Sequence, residues 1–583
     1  MAVTLLFHAN RHFRDPSGQI TRIRPRIRRT PTAEGVALGI ESDEIAYRHD
    51  AAGRVLSESG INGAVGYEWD ALSNLTGLTL PGEQKLAWLH YGSGHVSAIR
   101  FGQQLVTEFT RDRLHREVRR TQGAREQLRQ YDSLGRRTLQ RSELSTDVTL
   151  PEQALLERLY RYTARGELSG VSDTQRGEVD YGYDAEGRLL KHYEARQGHS
   201  RAQFSYDAAD NLAASDDAVP VTDNRLQHWQ ALFMKYDHWG NLVSRRNGQY
   251  EQHYAYDAEN RLVSARGTGP EGRFEARYHY DALGRRTRKI VTTTHGTTDT
   301  RFLWQGYRLL QEQQQTGLCS TYIYDPNEAW SPLARVDHLR DQNSGEINWF
   351  NTDLNGAPLE VTDERGAVRW SGQYGSFGEV RHQSEGFSRL VNRTAMAHQP
   401  LRYAGQYADG ETGLHYNLFR YYDPQVGRFI VQDPIGLNGG NLNLYNYAPN
   451  PLLWIDPMGL ALSGVDFSGS PSLYPVTGTQ RNIVEITLQG SRGRDFTEAY
   501  KLAGISEADA SEYTWHHLDD FDPKTGKSTM QLVTTEAHKA SFPHKGSVSQ
   551  FEKHFGVKYG SPEAIKISHS KGWLRGRIPK HCQ

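Results

Sequence analysis

One unit, repeated over much of the chain, restricts the fold more than any other feature: an aromatic-rich stretch, Asp, two residues, Gly or Asn, Arg or Asn, then Leu. It reads YRHDAAGRVL from Tyr47, YDSLGRR from Tyr131, YGYDAEGRLL from Tyr181, YDAADNL from Tyr206, YDHWGNL from Tyr236, YDAENRL from Tyr256 and YDALGRR from Tyr280. Weaker copies start at Tyr67 and Tyr160. Alternation such as Tyr181 and Tyr183 puts aromatics on one face of a strand. Asp184-Ala185-Glu186-Gly187 is a turn, with Gly or Asn at the position that needs a positive φ, and Arg188-Leu189 opens the return strand. A hairpin of this kind cannot bury its own aromatic face, so copies must stack or coil. The expectation is a mainly β protein built as a continuous winding sheet.

Composition agrees with that expectation. Tyrosine is abundant (31), methionine scarce (5), the hydrophobic share 37% and the mean hydropathy -0.71, which suits strands with aromatic faces and argues against ordinary disorder. No apolar run approaches the length of a membrane span. Cys319 and Cys582 are too few for a disulfide framework and carry no metal-type spacing, as in a protein made in a reducing cytoplasm. The start, MAVTLLFHANRHFR, has no small-residue cleavage site, so export would need a machine other than a cleaved signal. Net charge is -1, giving the whole molecule no strong electrostatic preference for nucleic acid. From Lys527 onward, however, ten Lys or Arg face three Asp or Glu.

The repeats give way to a second pattern. Two DPxGL copies, at Asp433 and Asp456, stand 23 positions apart, the second ending at Leu460. Each Asp-Pro-x-Gly is by itself a good β-turn. After it, Ala461 to Thr479 is rich in Ser, Gly and Pro and reads as a linker. The chain thus divides into a basic leader (1–45), a repeat region (46–400), its closing segment (401–460), a linker (461–480) and a separate tail (481–583).

The tail holds seven of the 24 histidines in an informative order. Trp515-His516-His517 precedes a turn at Asp522 to Gly526 and a strand at Met530 to Val533; His538 and His544 follow. Adjacent histidines on a strand point to opposite faces, and a lone one is more often packing than chemistry. The acidic Asp519, Asp520 and Asp522 read as a solvated turn before they read as ligands. Lys571, Arg575 and Arg577 suit phosphate contacts or plain solubility. Trp573 between them reads as a core residue before a base-stacking one.

Two resemblances sharpen this picture. The Tyr-Asp units, with NTDLNGAPLEVTDERGAVRWSGQYGSFGEV from Asn351 and LRYAGQYADGETGLHYNLFRYYDPQVGRF from Leu401, resemble the RHS/YD-repeat family over roughly 45 to 460. That resemblance implies a sheet spiralling into a hollow shell that encloses the C-terminal segment, and self-cleavage by an aspartic pair, Asp433 and Asp456, between Leu460 and Ala461. Arg428 would orient or charge-balance the pair. Members of the secreted-toxin type are often far longer, so the resemblance leaves open a short form, a piece of a longer protein, or a shell completed by another chain. WHHLDDFDPKTGKSTMQLVTTEAHKASFPHKG resembles the WHH branch of the HNH/endonuclease VII group, which implies a small α+β tail of the ββα-metal type. By that pattern His517 is the general base, and His516, His538 and His544 hold one divalent ion (Mg²⁺, Mn²⁺ or Zn²⁺). Asn is common at the middle position, so His538 could instead hold the base or the loop in place. Together the resemblances imply a bacterial toxin with DNA as substrate, made in the cytoplasm, exported by secretion machinery, acting in a target cell's cytoplasm, and matched by a cognate immunity protein. Two alternatives remain: a tail that cuts RNA, and a YD-repeat adhesion shell with a non-catalytic cargo.

Overall fold

The computed structural model describes residues 13–14, 20–22, 26–37, 40–92, 94–145, 155–195, 200–213, 221–383, 398–439, 442–448, 450–460, 473–518, 520–535 and 546–574. They form a mainly antiparallel β protein with a small α+β tail. Two compact units share the chain, Met1–Gln130 with Thr138–Ala461, and Tyr131–Arg137 with Leu462–Gln583.

The larger unit is built from two long antiparallel meanders. One sheet runs through 16 strands in strict sequence order, from Arg26–Arg29 to Ser200–Gln203; the other runs through 15, from His228–Trp229 to Val380–Gln383. Consecutive antiparallel strands need only short turns, which the repeat supplies. Arg26–Arg29, inside the stretch read as a leader, is itself the end strand of the first sheet.

The repeat signature becomes a set of bonds. At Asp184, Oδ1 accepts from the backbone N–H of Glu186 (3.0 Å) and Arg188 (2.9 Å), while Oδ2 takes the Arg188 Nε at 2.6 Å. Gly187 has φ 82°, and Asn260 fills the equivalent place of a later copy with φ 58°. Where Asn replaces Arg, as at Asn211, its side-chain amide reaches Asp207 Oδ2 at 2.9 Å. The tyrosine before the Asp ties its hydroxyl to the preceding repeat: Tyr183 to Leu168 O (2.7 Å), Tyr206 to Leu189 O (2.9 Å), Tyr256 to Leu242 O (2.7 Å) and Tyr280 to Leu262 O (2.6 Å). One copy escapes the sequence pattern. Asp112 makes the same turn with Leu114 and Arg116, but Arg111 stands in place of the tyrosine and His115, at φ 59°, in place of Gly.

Strand alternation builds the core. Gly272–Tyr280 buries Phe274, Ala276, Tyr278 and Tyr280 and exposes Arg273, Glu275 and Arg277. One apolar cluster joins Val65, Leu78, Ile99 and Phe101 of the first sheet to Leu303, Ile323, Val336 and Trp349 of the second. Buried ion pairs pin the same two sheets. Arg158 reaches Asp173 (2.8 Å) and, across the sheets, Glu360, which also takes Arg176 at 2.5 Å. Both Arg158 and Glu360 are almost fully buried. Removing the Glu360 carboxylate would leave Asp173 as the remaining carboxylate against two guanidinium groups, and breaking such a buried pair costs about 3–5 kcal/mol. Glu360→Ala is therefore expected to lower the denaturant midpoint of the full chain sharply; a wild-type midpoint would show that the pair does not hold the sheets.

Candidate active sites

The closing segment of the larger unit brings the two DPxGL aspartates together around one cation. Asp433 and Asp456 are both buried, and each Oδ2 faces the same nitrogen of Arg420, at 3.3 and 3.5 Å. Arg420 lies on the short strand Arg420–Asp423. Its guanidinium is fixed by the Phe429 ring (3.6 Å to the centroid), by Leu444 O (2.9 Å) and by Gly459 O. The local turns form as the motif dictates: Asp433 Oδ1 accepts from Ile435 N–H at 3.0 Å, and Asp456 Oδ1 from Leu460 N–H at 3.1 Å. The Asp456 carboxylate thus touches the amide of the residue read as the scissile position, while Ala461 lies outside the described residues. Burial pushes the Asp433 carboxyl above its ordinary range, against the pull of Arg420.

Arg428, expected beside this pair, points elsewhere. It donates to Asn211 (3.3 Å) and to Asn224 O, and lies over the Tyr445 ring. The guanidinium set against both carboxylates is Arg420, eight positions earlier, which the sequence reading missed. Two strands sharing a sheet can present either arginine, and only the tertiary packing selects one.

The tail is a three-stranded antiparallel sheet, with Lys527–Thr534 between Ile483–Thr487 and the edge strand Tyr513–His517. Helices Arg492–Ala503, Ser547–Phe555 and Pro562–Ser570 accompany it. Ile483–Thr487 and Arg492–Ala503 were not expected from the sequence. Trp515 and His517 share one face of their strand. Trp515 is buried against Tyr500 in the apolar core, and His517 stacks obliquely on Phe496, both aromatics belonging to Arg492–Ala503. His516, fully buried, takes the opposite face, opposite Gln531.

His517 is tied on its core side. Its Nε2 stands 3.2 Å from Asp495 Oδ2. Asp495 is fully buried, and also accepts from Tyr559 Oη (2.7 Å) and from Gln489 N–H (2.8 Å, at Oδ1). Burial, and then the adjacent Asp495 carboxylate, hold the Tyr559 phenol well above its ordinary range, so it stays a donor.

His538, His544, Arg575, Arg577 and Asp519 lie outside the described residues. Of the expected metal ligands only His516 is described, and no group of three or more His, Cys, Asp or Glu able to hold a metal occurs among the described residues. The described donor set is one buried imidazole, which fits a divalent ion only when completed from 536–545. Thr535 N–H bonds Glu512 O at one end of the Tyr513–His517 strand, and Ser547 N–H bonds Leu518 O at the other. Asp520 and Asp522 are used by their own loop: Asp520 accepts from Ser528 Oγ and Thr529 N–H, and Asp522 from Lys524 N–H and Thr525 Oγ1. Lys571 is exposed at the end of the last helix, and Trp573 is buried against Phe521, Phe551 and Phe555 rather than offered to bases.

A family model described as the teneurin YD-shell matches residues 141–451, and one described as a nuclease of the HNH/ENDO VII superfamily with conserved WHH matches residues 506–554. The chain is 44% identical over 459 residues to the double-stranded DNA deaminase toxin A of Burkholderia cenocepacia, covering 75% of this chain and 32% of that protein. It is 32% identical over 495 residues to toxin protein Tse5 of Pseudomonas aeruginosa (72% and 36% covered). To the probable deoxyribonuclease RhsA of Dickeya dadantii it is 28% identical over 405 residues (64% and 26%). The chain therefore spans between 26% and 36% of the length of these relatives.

Proposed function

The chain belongs to the YD-shell family, its tail matches the WHH nucleases, and from that premise we propose that it is a toxin whose larger unit frees, by self-cleavage after Leu460, a nuclease that cuts DNA. The observation that carries the reading is the WHH match falling on a strand whose second histidine is gripped at one nitrogen by a buried carboxylate. A relative named as a probable deoxyribonuclease supports DNA as the substrate.

In the tail, His517 is the general base. Its imidazole takes a proton from water as the water oxygen bonds to phosphorus; the bond from phosphorus to the leaving oxygen breaks, and the leaving alkoxide is protonated from solvent. His516, with His538 and His544, would hold one divalent ion, which when bound supplies positive charge against the scissile phosphate. Lys571, Arg575 and Arg577 would contact flanking phosphates. Trp515 keeps its strand seated in the core so that the two histidines stay on opposite faces.

At the seam, two carboxylates share one cation, so one proton between them leaves the group near neutrality. Asp433, pushed towards its protonated form by burial, is the acid; Asp456 is the base. Asp456 takes a proton from water, the water oxygen bonds to the Leu460 carbonyl carbon, the Leu460–Ala461 bond breaks, and Asp433 gives its proton to the leaving amine. Arg420 holds both carboxylates in place. The same reading places the protein in interbacterial competition, made in a bacterial cytoplasm, exported by secretion machinery without a cleaved signal, active in a target cytoplasm and countered by a cognate immunity protein.

Purified protein is expected to give two masses, the smaller starting at Ala461, and Asp433→Asn a single one; one full-length mass from the wild type would refute self-cleavage. The self-cleaved protein is expected to linearise supercoiled plasmid with Mg²⁺, Mn²⁺ or Zn²⁺, and His517→Ala to slow this by about 10²-fold or more. Equal cutting by the variant would remove the base assignment, and cutting of RNA alone would change the substrate.

A further inference from the structure

Asp495 and Tyr559 lie outside the 506–554 stretch that matches the WHH family model, on two helix-associated segments that the motif does not include. We propose that Asp495, backed by Tyr559, is the positioning residue of the nuclease site: it fixes the ring of His517 and the nitrogen on which that ring carries its proton. The proposal rests on the nuclease reading and adds to it the partner that makes His517 a base.

The argument runs through donors and acceptors. Around the Asp495 carboxylate every other neighbour donates. Gln489 N–H enters Oδ1 at 2.8 Å, and the Tyr559 hydroxyl enters Oδ2 at 2.7 Å. The phenol cannot serve as an acceptor for a protonated Asp495 without losing that bond, and Gly490 N–H already donates to its oxygen at 3.1 Å. With both of these donors aimed at it, the carboxyl group is taken as the anion and the contact at 3.2 Å as His517 Nε2–H donating to Oδ2. Neutral imidazole carries one proton, and with that proton on Nε2 the lone pair sits on Nδ1. Among the described residues no hydrogen bond is made to Nδ1, and it remains for the water.

Position follows from the same contacts. Asp495 is in the first turn of Arg492–Ala503, whose Phe496 lies 5.9 Å from the His517 ring, so one helix turn sets both the hydrogen bond and the packing of the imidazole. When His517 accepts the proton, the resulting imidazolium stands against a buried anion that is already in place, which costs no reorganisation at that moment. An orienting carboxylate behind a histidine base is worth about 10²- to 10⁴-fold in turnover, because without it the ring adopts the wrong tautomer.

Two measurements on the self-cleaved protein test this. In the wild type, ring ¹⁵N spectra of histidine-labelled protein, with His517→Gln as the assignment reference, are expected to show His517 protonated at Nε2 and bare at Nδ1. The opposite tautomer overturns the proposal whatever the enzyme does. In plasmid cleavage, Asp495→Asn is expected to lower kcat by about 10²-fold or more with KM within about two-fold, and Asp495→Glu to recover part of the loss. Tyr559→Phe, which leaves both His517 and Asp495 intact, is expected to lower kcat less and to leave the Nε2–H tautomer in place. A wild-type kcat in Asp495→Asn refutes the proposal. So does a loss that appears in both Asp495 variants only together with a lowered unfolding temperature while the wild-type ring carries its proton on Nδ1. If the wild type cuts no nucleic acid with any metal, the nuclease reading fails instead, and the ¹⁵N tautomer still reports on Asp495 and His517.

Discussion

The bond set inside each Tyr-Asp unit is what the larger unit depends on. The aspartate is satisfied within five residues, by two backbone N–H groups and the Arg or Asn four positions on, as at Asp184 and Asp207. The tyrosine hydroxyl is satisfied one repeat back, at a carbonyl such as Leu168 or Leu242. Each unit therefore needs only its predecessor to complete its polar groups, and the sheets extend in strict sequence order without crossovers. At about 1 kcal/mol net per hydrogen bond, no single copy is decisive. That explains how Asp112 can keep the turn after losing both the tyrosine and the glycine.

Charge placed where water is absent recurs at each point where separate segments must meet. Glu360 with Arg158 and Arg176, and Arg285 with Glu58 and Asp281, join the two long sheets. Arg420 with Asp433 and Asp456 repeats the arrangement at Arg285, two carboxylates to one guanidinium. In a buried site the surplus negative charge is relieved by a proton, and burial already shifts Asp433 that way and lowers Arg420 from its usual value. At the seam that shift of Asp433 lets an acid and a base coexist. The tail contains a third variant, Asp495 enclosed by a backbone N–H, a phenol and an imidazole.

The repeat turns and the alternation of buried aromatics could be read from sequence because each is set by residues close in the chain. Asp and its i+4 partner, or Phe274 and Tyr278 on one strand face, need no knowledge of the rest of the molecule. The WHH motif was legible for the same reason, being a hairpin with its histidines in order. The partners of those motifs were not. Arg420 and Arg428 are equally good arginines in sequence, and the choice between them came from the Phe429 ring and the carbonyls of Leu444 and Gly459. Asp495 stands 22 residues before His517, and Tyr559 42 after it, with no spacing rule connecting them.

By itself, then, the sequence determined a winding β-sheet of Tyr-Asp hairpins, a doubled Asp-Pro turn ending at Leu460, and a histidine pair on a short strand. All of these are local, fixed by backbone geometry within a few residues. The tertiary structure decided which cation faces Asp433 and Asp456, that Trp573 belongs to the core, and that a buried carboxylate from a helix grips His517. Those outcomes depend on the low dielectric and close packing of the interior, which make one distant partner far better than the others and leave no mark in the spacing of residues along the chain.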